Sequence, residues 1–207
     1  LHKEYRRQRQ MCIRDSEYAD SLDPKSFDGK NFESEDYSKD PLTSVQLSSD
    51  TDISSLKRRE NFIKIYFYKE NNNIKAVILP VRGLGLWGTL YGYLAIEPDL
   101  NTIIGLEYFS HKETPGLGAE VDNPRWKSKW RGKKIRSSSG EFKIEVIKGL
   151  VNLESPERKY QVDGLSGATI TSRGVSNMLT FWLGELGYAK FLNKLKVEIE
   201  NEEALNV

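Results

Sequence analysis

An α+β fold, with antiparallel sheets followed by C-terminal helices, is predicted by three features of this 207-residue sequence. Apolar and polar residues alternate between residues 62 and 110, the period-two signature of half-buried strands. An apolar stripe at helical spacing dominates the last third. Strands precede helices, without the regular βαβ alternation of a parallel sheet.

The first strand is predicted from Phe62 to Lys69, where aromatic and β-branched residues alternate with polar ones. Glu70-Asn71-Asn72-Asn73 makes a turn, and Ile74 to Val81 forms the return strand. Residues 89–97 and 102–110 read as another antiparallel pair, joined at Glu97-Pro98-Asp99-Leu100-Asn101. A Gly/Pro loop follows at 114–118, then a short helix from Pro124 to Arg131. Glu141 to Lys148 alternates again, with Phe142, Ile144 and Val146 on one face. Val175, Met178, Leu179, Trp182, Leu183 and Leu186 then form one helical stripe, loosened near its end by Gly184 and Gly187. A second helix starts at Ala189 and presents Phe191, Leu192, Leu195 and Ile199.

These elements make one domain over 59–200. Residues 17–58 are rich in Asp, Ser, Lys and Glu and are expected to be an irregular linker with short packed pieces. Residues 201–207 are a tail, and Glu198 to Glu203 a solvated helix end. The opening stretch through Ser16 has no hydrophobic periodicity and is expected to be a non-native segment.

With 31 basic and 30 acidic residues, the formal net charge is only +1. There is no basic excess for nucleic acid, and no long basic block for a membrane surface. The single Cys12 excludes an internal disulfide framework and a Cys-cluster metal site. The longest apolar stretch, Ala76 to Val81, is far below the roughly 18 residues of a membrane span.

Residues 163–172 concentrate the most chemical information. Gly164, Gly167 and Ala168 let the backbone approach a bulky group, while Ser166, Thr169, Thr171 and Ser172 supply four hydroxyls. Because a helical pattern begins there, exposed N–H groups and the positive helix end favour an anion. A plain helix cap in a small-residue turn accounts for the same residues. Gly83-Leu84-Gly85-Leu86-Trp87-Gly88 formally fits G-x-G-x-x-G, but it leads into an extended segment rather than a helix, so nucleotide binding there is rejected. His111 and Glu113 lack further ligands at workable spacing, and no metal is expected. A structural role is expected for His111. Trp126 and Trp130, four apart, are expected in the core. No Ser/His/Asp arrangement is present, so no catalytic residues are assigned.

The string Asp163-Gly164-Leu165-Ser166-Gly167-Ala168-Thr169 matches the signature of proteins that carry FMN on a threonine through phosphate. Trp87-Gly88, Tyr91-Gly92-Tyr93 and His111-Lys112-Glu113-Thr114-Pro115-Gly116-Leu117-Gly118 also fit, and residues 42–195 resemble the C-subunit of the sodium-translocating NADH:quinone oxidoreductase. The G-subunit of the related RNF complex shares two of these strings and is the nearest alternative. A non-redox extracytoplasmic binding or scaffold domain is another.

The resemblance implies a covalent FMN-binding domain acting as an electron-transfer subunit, not catalytic alone. Thr169 would be the FMN acceptor and Asp163, Ser166, Gly167 and Ala168 the recognition string, with Thr171 and Ser172 hydroxyls assisting at the phosphate. Trp87 would stack near the flavin, and the loop of Glu113, Thr114, Gly116, Leu117 and Gly118 would line its pocket. The implied partners are a flavin transferase for maturation and the other subunits of the membrane complex. The implied location is the bacterial inner membrane, the domain facing the periplasm, anchored by a helix absent from this chain.

Overall fold

The computed structural model describes residues 16–19, 34–71 and 73–205. In chain order the elements are β1 (Ser16–Ala19), α1 (Ser34–Lys39), β2 (Ser44–Gln46), β3 (Arg58–Glu60), β4 (Phe62–Glu70), β5 (Asn73–Leu84), β6 (Thr89–Ile96) and β7 (Ile103–Ser110). There follow α2 (Pro124–Lys127), β8 (Glu145–Val146), β9 (Gln161–Val162), α3 (Thr169–Trp182) and α4 (Ala189–Leu205), with short 3-10 turns between. The architecture is α+β, as predicted.

Strands β1-β4-β5-β6-β7 form one antiparallel sheet in that order. Its inner face carries Ile65, Leu79, Leu90, Leu94 and Ile96, all fully buried in one core with Val175, Met178, Leu179 and Trp182 of α3. Pro80 is tolerated inside β5 because it lies where the pairing with β4 has run out. The last β4–β5 pair is Tyr66–Ile78, and Leu84, farther along β5, donates its N–H across that edge to the Ser54 carbonyl. Tyr188 closes the edge by donating its hydroxyl to the Pro80 carbonyl at 2.5 Å.

Helix α3 lies unusually close to the sheet. A Cβ on Gly174 would sit 2.3 Å from the Leu84 carbonyl oxygen, and one on Gly83 would sit 2.8 Å from Met178 Cβ. Only glycine at both positions permits this contact. It draws the N-terminal half of α3 against the turn between β5 and β6, where the candidate site forms.

The structure departs from the sequence expectations in four places. Residues 34–60 are more ordered than the expected linker. Here β2 and β3 pair antiparallel, Leu47 and Leu56 pack against the core, and Glu60 is buried in an ion pair with Arg82 at 2.6 Å. Charged residues that bury by pairing leave no hydrophobic pattern to read. The alternation over 141–148 yields only the two-residue β8, paired in parallel with β9, although Ile144 and Val146 are buried as expected. The helix carrying the apolar stripe ends at Trp182, and Leu186 is 40% exposed. The chain turns back at Gly187, where a Cβ would lie 2.1 Å from the Trp182 carbonyl oxygen. Helix α4 runs on to Leu205, into the segment expected to be a tail. The expectation for residues 1–16 falls outside the described residues except at Ser16.

Candidate functional site

The site is built around a buried carboxylate. The β5–β6 hairpin closes through Gly85 N–H donating to the Gly88 carbonyl at 2.8 Å, with strand on both sides. The glycines therefore make a β-turn and not a dinucleotide-binding strand–helix junction, as expected. At its tip, the N–H groups of Leu86 and Trp87 donate to Glu113 Oε1 at 3.0 and 2.9 Å. The Thr171 hydroxyl, in the first turn of α3, donates to Glu113 Oε2. Glu113 is only 6% exposed, so these three donors replace its water shell.

Space for that carboxylate is made by absent side chains. A Cβ on Gly85 would lie 2.5 Å from Glu113 Oε1, and one on Gly118 would lie 2.3 Å from Oε2. His111 fixes the start of the loop: its Nδ1 accepts the Glu113 N–H at 3.1 Å, while Nε2 is hydrogen bonded to Asp122 at 2.8 Å. Its role here is structural. Glu113 thus ties the hairpin tip, the 111–118 loop and the start of α3 into one unit. Thr114 and Gly116 are exposed on that loop, which turns through Gly116 at φ +73°.

The Asp163–Thr169 string leads into α3 over a second set of anchors. Asp163 accepts hydrogen bonds from the Lys129 ammonium and from the Val151 N–H at 2.7 Å. Burial opposes ionisation of its carboxyl, but the Lys129 and Val151 donors outweigh it and hold the pKa below the ordinary range. Its carbonyl accepts the Trp126 indole N–H at 2.8 Å, and Trp126 packs edge-to-face on Trp130 at 5.5 Å. Both indoles are buried, the core role predicted for them. Gly167 adopts φ +69°, and Ala168 takes the cap position without a polar side chain to offer the first-turn N–H groups.

Exposure sorts the predicted residues. Ser166, Gly167 and Thr169 are open to solvent, and Thr169 is the first residue of α3. Thr171 and Ser172, expected to assist at a phosphate, are buried and spend their hydroxyls inside the protein. Thr171 serves Glu113, and Ser172 Oγ accepts the Leu165 N–H at 3.0 Å. Trp87 is 65% exposed at the hairpin tip, so it is not a core residue. Leu86, Leu117 and Ile170 are exposed as well, and Leu117 lies beside the start of α3, its Cδ2 2.8 Å from where a Cβ on Gly167 would stand.

A cleft of about 300 Å³ borders the same helix, lined by Thr169, Ser172, Arg173, Ser176 and the 145–149 segment. That volume lies at the small end of ligand pockets. Arg173 lines this cleft, and the local Asp163–Thr169 string does not mark it. The signal for it is the helical repeat: it stands four residues after Thr169, hence on the same helix face.

The FMN-binding domain family matches this chain over residues 85–184, from the hairpin tip to just past the end of α3. The C-subunit of Na(+)-translocating NADH-quinone reductase from Pseudomonas aeruginosa is 46% identical over 179 residues, covering 86% of this chain and 67% of that protein. Its Yersinia pestis counterpart is 41% identical over 175 residues, covering 84% of this chain and 63% of that one. The crystal structure of Shewanella oneidensis NqrC matches with a TM-score of 0.82 at 33% identity, over 94% of this chain and 88% of that one.

The fold and the match over residues 85–184 together mark an FMN-binding domain within this chain. More narrowly, the chain belongs to the C-subunit family of Na(+)-translocating NADH-quinone reductases. It spans about two thirds of the length of these curated relatives.

Proposed function

We propose that this chain carries one FMN covalently on Thr169, through phosphate, and serves as an electron-transfer subunit of a sodium-translocating NADH:quinone oxidoreductase. The observation that carries the reading is the state of Thr169. Its side chain is exposed at the first position of α3, has no capping or packing duty, and lies inside the matched family segment.

The surroundings fit the group. A phosphate at this position meets the positive end of a 14-residue helix, whose cap residue supplies no competing side chain. Backbone conformation at Gly167 and the small Ala168 leave the hydroxyl accessible to a second protein. The one carboxylate of the motif, Asp163, is engaged by Lys129 and Val151, so the string offers Thr169 no free general base. That favours attachment by a separate flavin transferase. Attachment forms the Thr169 Oγ–P bond as the phosphorus bond to the leaving group of an activated flavin-phosphate donor breaks and the hydroxyl gives up its proton, so that the chain gains FMN less one water.

Trp87 and Leu117 offer exposed apolar surface for a flat ring, and the Glu113 hydrogen bonds hold their two loops in fixed relation to Thr169. When bound, the flavin supplies the one- and two-electron chemistry, and the protein sets its placement and shielding. Covalent tethering keeps the group from dissociating at so open a site. The partners are the other subunits of the membrane complex, in the bacterial inner membrane with this domain in the periplasm. Among the described residues no helix is long and apolar enough to cross a membrane.

The test is co-production with a flavin transferase, followed by denaturation. Flavin is expected to remain with the wild-type chain and to be absent from Thr169→Ala. Colour that washes out of the wild type, or persists in the variant, refutes the reading.

A further inference from the structure

We propose that the cleft beside Thr169 is an anion subsite, in which Arg173 and Lys148 hold the phosphodiester of the cofactor linkage. This deepens the flavin reading above and rests on it. Thr169 and Arg173 are four residues apart on α3, so their side chains leave the same face of the helix about one turn apart. Both line the cleft of about 300 Å³, and Lys148 enters its lining from the neighbouring segment. Neither cation has a hydrogen-bond or ion-pair partner among the described residues.

The other polar side chains of the cleft are already committed. Ser172 accepts the Leu165 N–H, Ser176 accepts the Val146 N–H at 2.9 Å, and Glu145 accepts from the Gln161 amide at 3.2 Å. The lining therefore presents two cations and one carboxylate, a net charge of +1. A phosphodiester bears a single negative charge, so the cleft matches it without excess. A guanidinium also offers paired N–H donors suited to two phosphate oxygens. The exposed apolar side chains of Trp87 and Leu117 are left to the uncharged ring.

Arg173→Gln and Lys148→Gln alter exposed side chains and are expected to leave folding unchanged, and only chains shown by mass to carry the flavin on Thr169 are compared. In the flavin-loaded double variant, fluorescence depolarisation of the flavin is expected to speed up, and the ³¹P resonance to lose the salt dependence seen in the wild type. Arg173→Lys, which keeps the charge but not the paired donors, is expected to retain more of the restraint than Arg173→Gln and less than the wild type. Loaded variants that match the wild type in both signals overturn the proposal.

Protein made without flavin transferase provides an arm that does not depend on loading. Inorganic phosphate is expected to perturb the Arg173 Nε–H and Thr169 N–H resonances, with binding weakened roughly tenfold in Arg173→Gln. Phosphate that perturbs neither, or binds the variant equally, also overturns it. An absent mass on Thr169 sinks the flavin reading instead, while the phosphate arm still decides the subsite.

Discussion

Two pairs of hydroxyls lie between residues 166 and 172, one pair facing water and the other facing the core. Ser166 and Thr169 are exposed, and Thr169 has no structural task. Thr171 and Ser172 are buried, one on the Glu113 carboxylate and the other on the Leu165 N–H. Two steps along a helix, about 200° of rotation, separate a hydroxyl available for chemistry from one that builds the scaffold. The contrast teaches that a run of similar side chains at a helix start is not one site. Helical phase divides it.

The comparison breaks most visibly at Thr169. Replacing it by Ala is expected to abolish covalent flavin, read by colour after denaturation, while the unfolding free energy changes by no more than about 0.5 kcal/mol. A large stability loss would mean that Thr169 belongs with the structural pair. On the inner side, Glu113→Ala leaves the Leu86 and Trp87 N–H groups and the fully buried Thr171 hydroxyl without their acceptor. Urea unfolding is expected to show a loss of about 2–5 kcal/mol.

Gly118→Ala pushes a Cβ to 2.3 Å from Glu113 Oε2 and is expected to cost about 1–3 kcal/mol through overpacking. Thr171→Val keeps the shape and removes one donor from the carboxylate, for a loss of about 1–2 kcal/mol with flavin attachment retained. Failure of Thr171→Val to load flavin despite normal folding would move Thr171 into the chemical pair.

The smallest effect is expected at Asp163, at the far end of the string. Its folded pKa is depressed below the unfolded value of about 4, so its stabilisation is present above that pH. That contribution is lost as pH falls through the folded value. Asp163→Asn should therefore flatten stability against pH in the acid range below about pH 4, with little change in slope near neutrality. Equal slopes for variant and wild type in acid would show that Lys129 and Val151 do not stabilise the charged form.

Much of this is legible in the sequence. The β4–β5 and β6–β7 pairs follow from period-two alternation, and Val175 through Trp182 gives the buried face of α3 directly. The Gly85–Gly88 turn separates from a nucleotide fingerprint because strand, not helix, follows it. The function of Glu113 is less legible. It stands in an exposed-looking Gly/Pro loop, and its burial depends on Gly85 and Thr171, both distant in sequence. The order of residues 34–60 is hidden for a similar reason: the Glu60–Arg82 pair buries charges whose partners no local pattern reveals. Arg173 escapes a reading confined to the neighbours of Thr169, because only the helical repeat brings it onto the same face.

Mass spectrometry of the tryptic peptide Tyr160–Arg173, from protein produced together with a flavin transferase, tests the central claim most directly. The account predicts the mass of FMN less one water, localised by fragmentation to Thr169. An unmodified peptide, or the added mass on Ser166, Thr171 or Ser172, contradicts it.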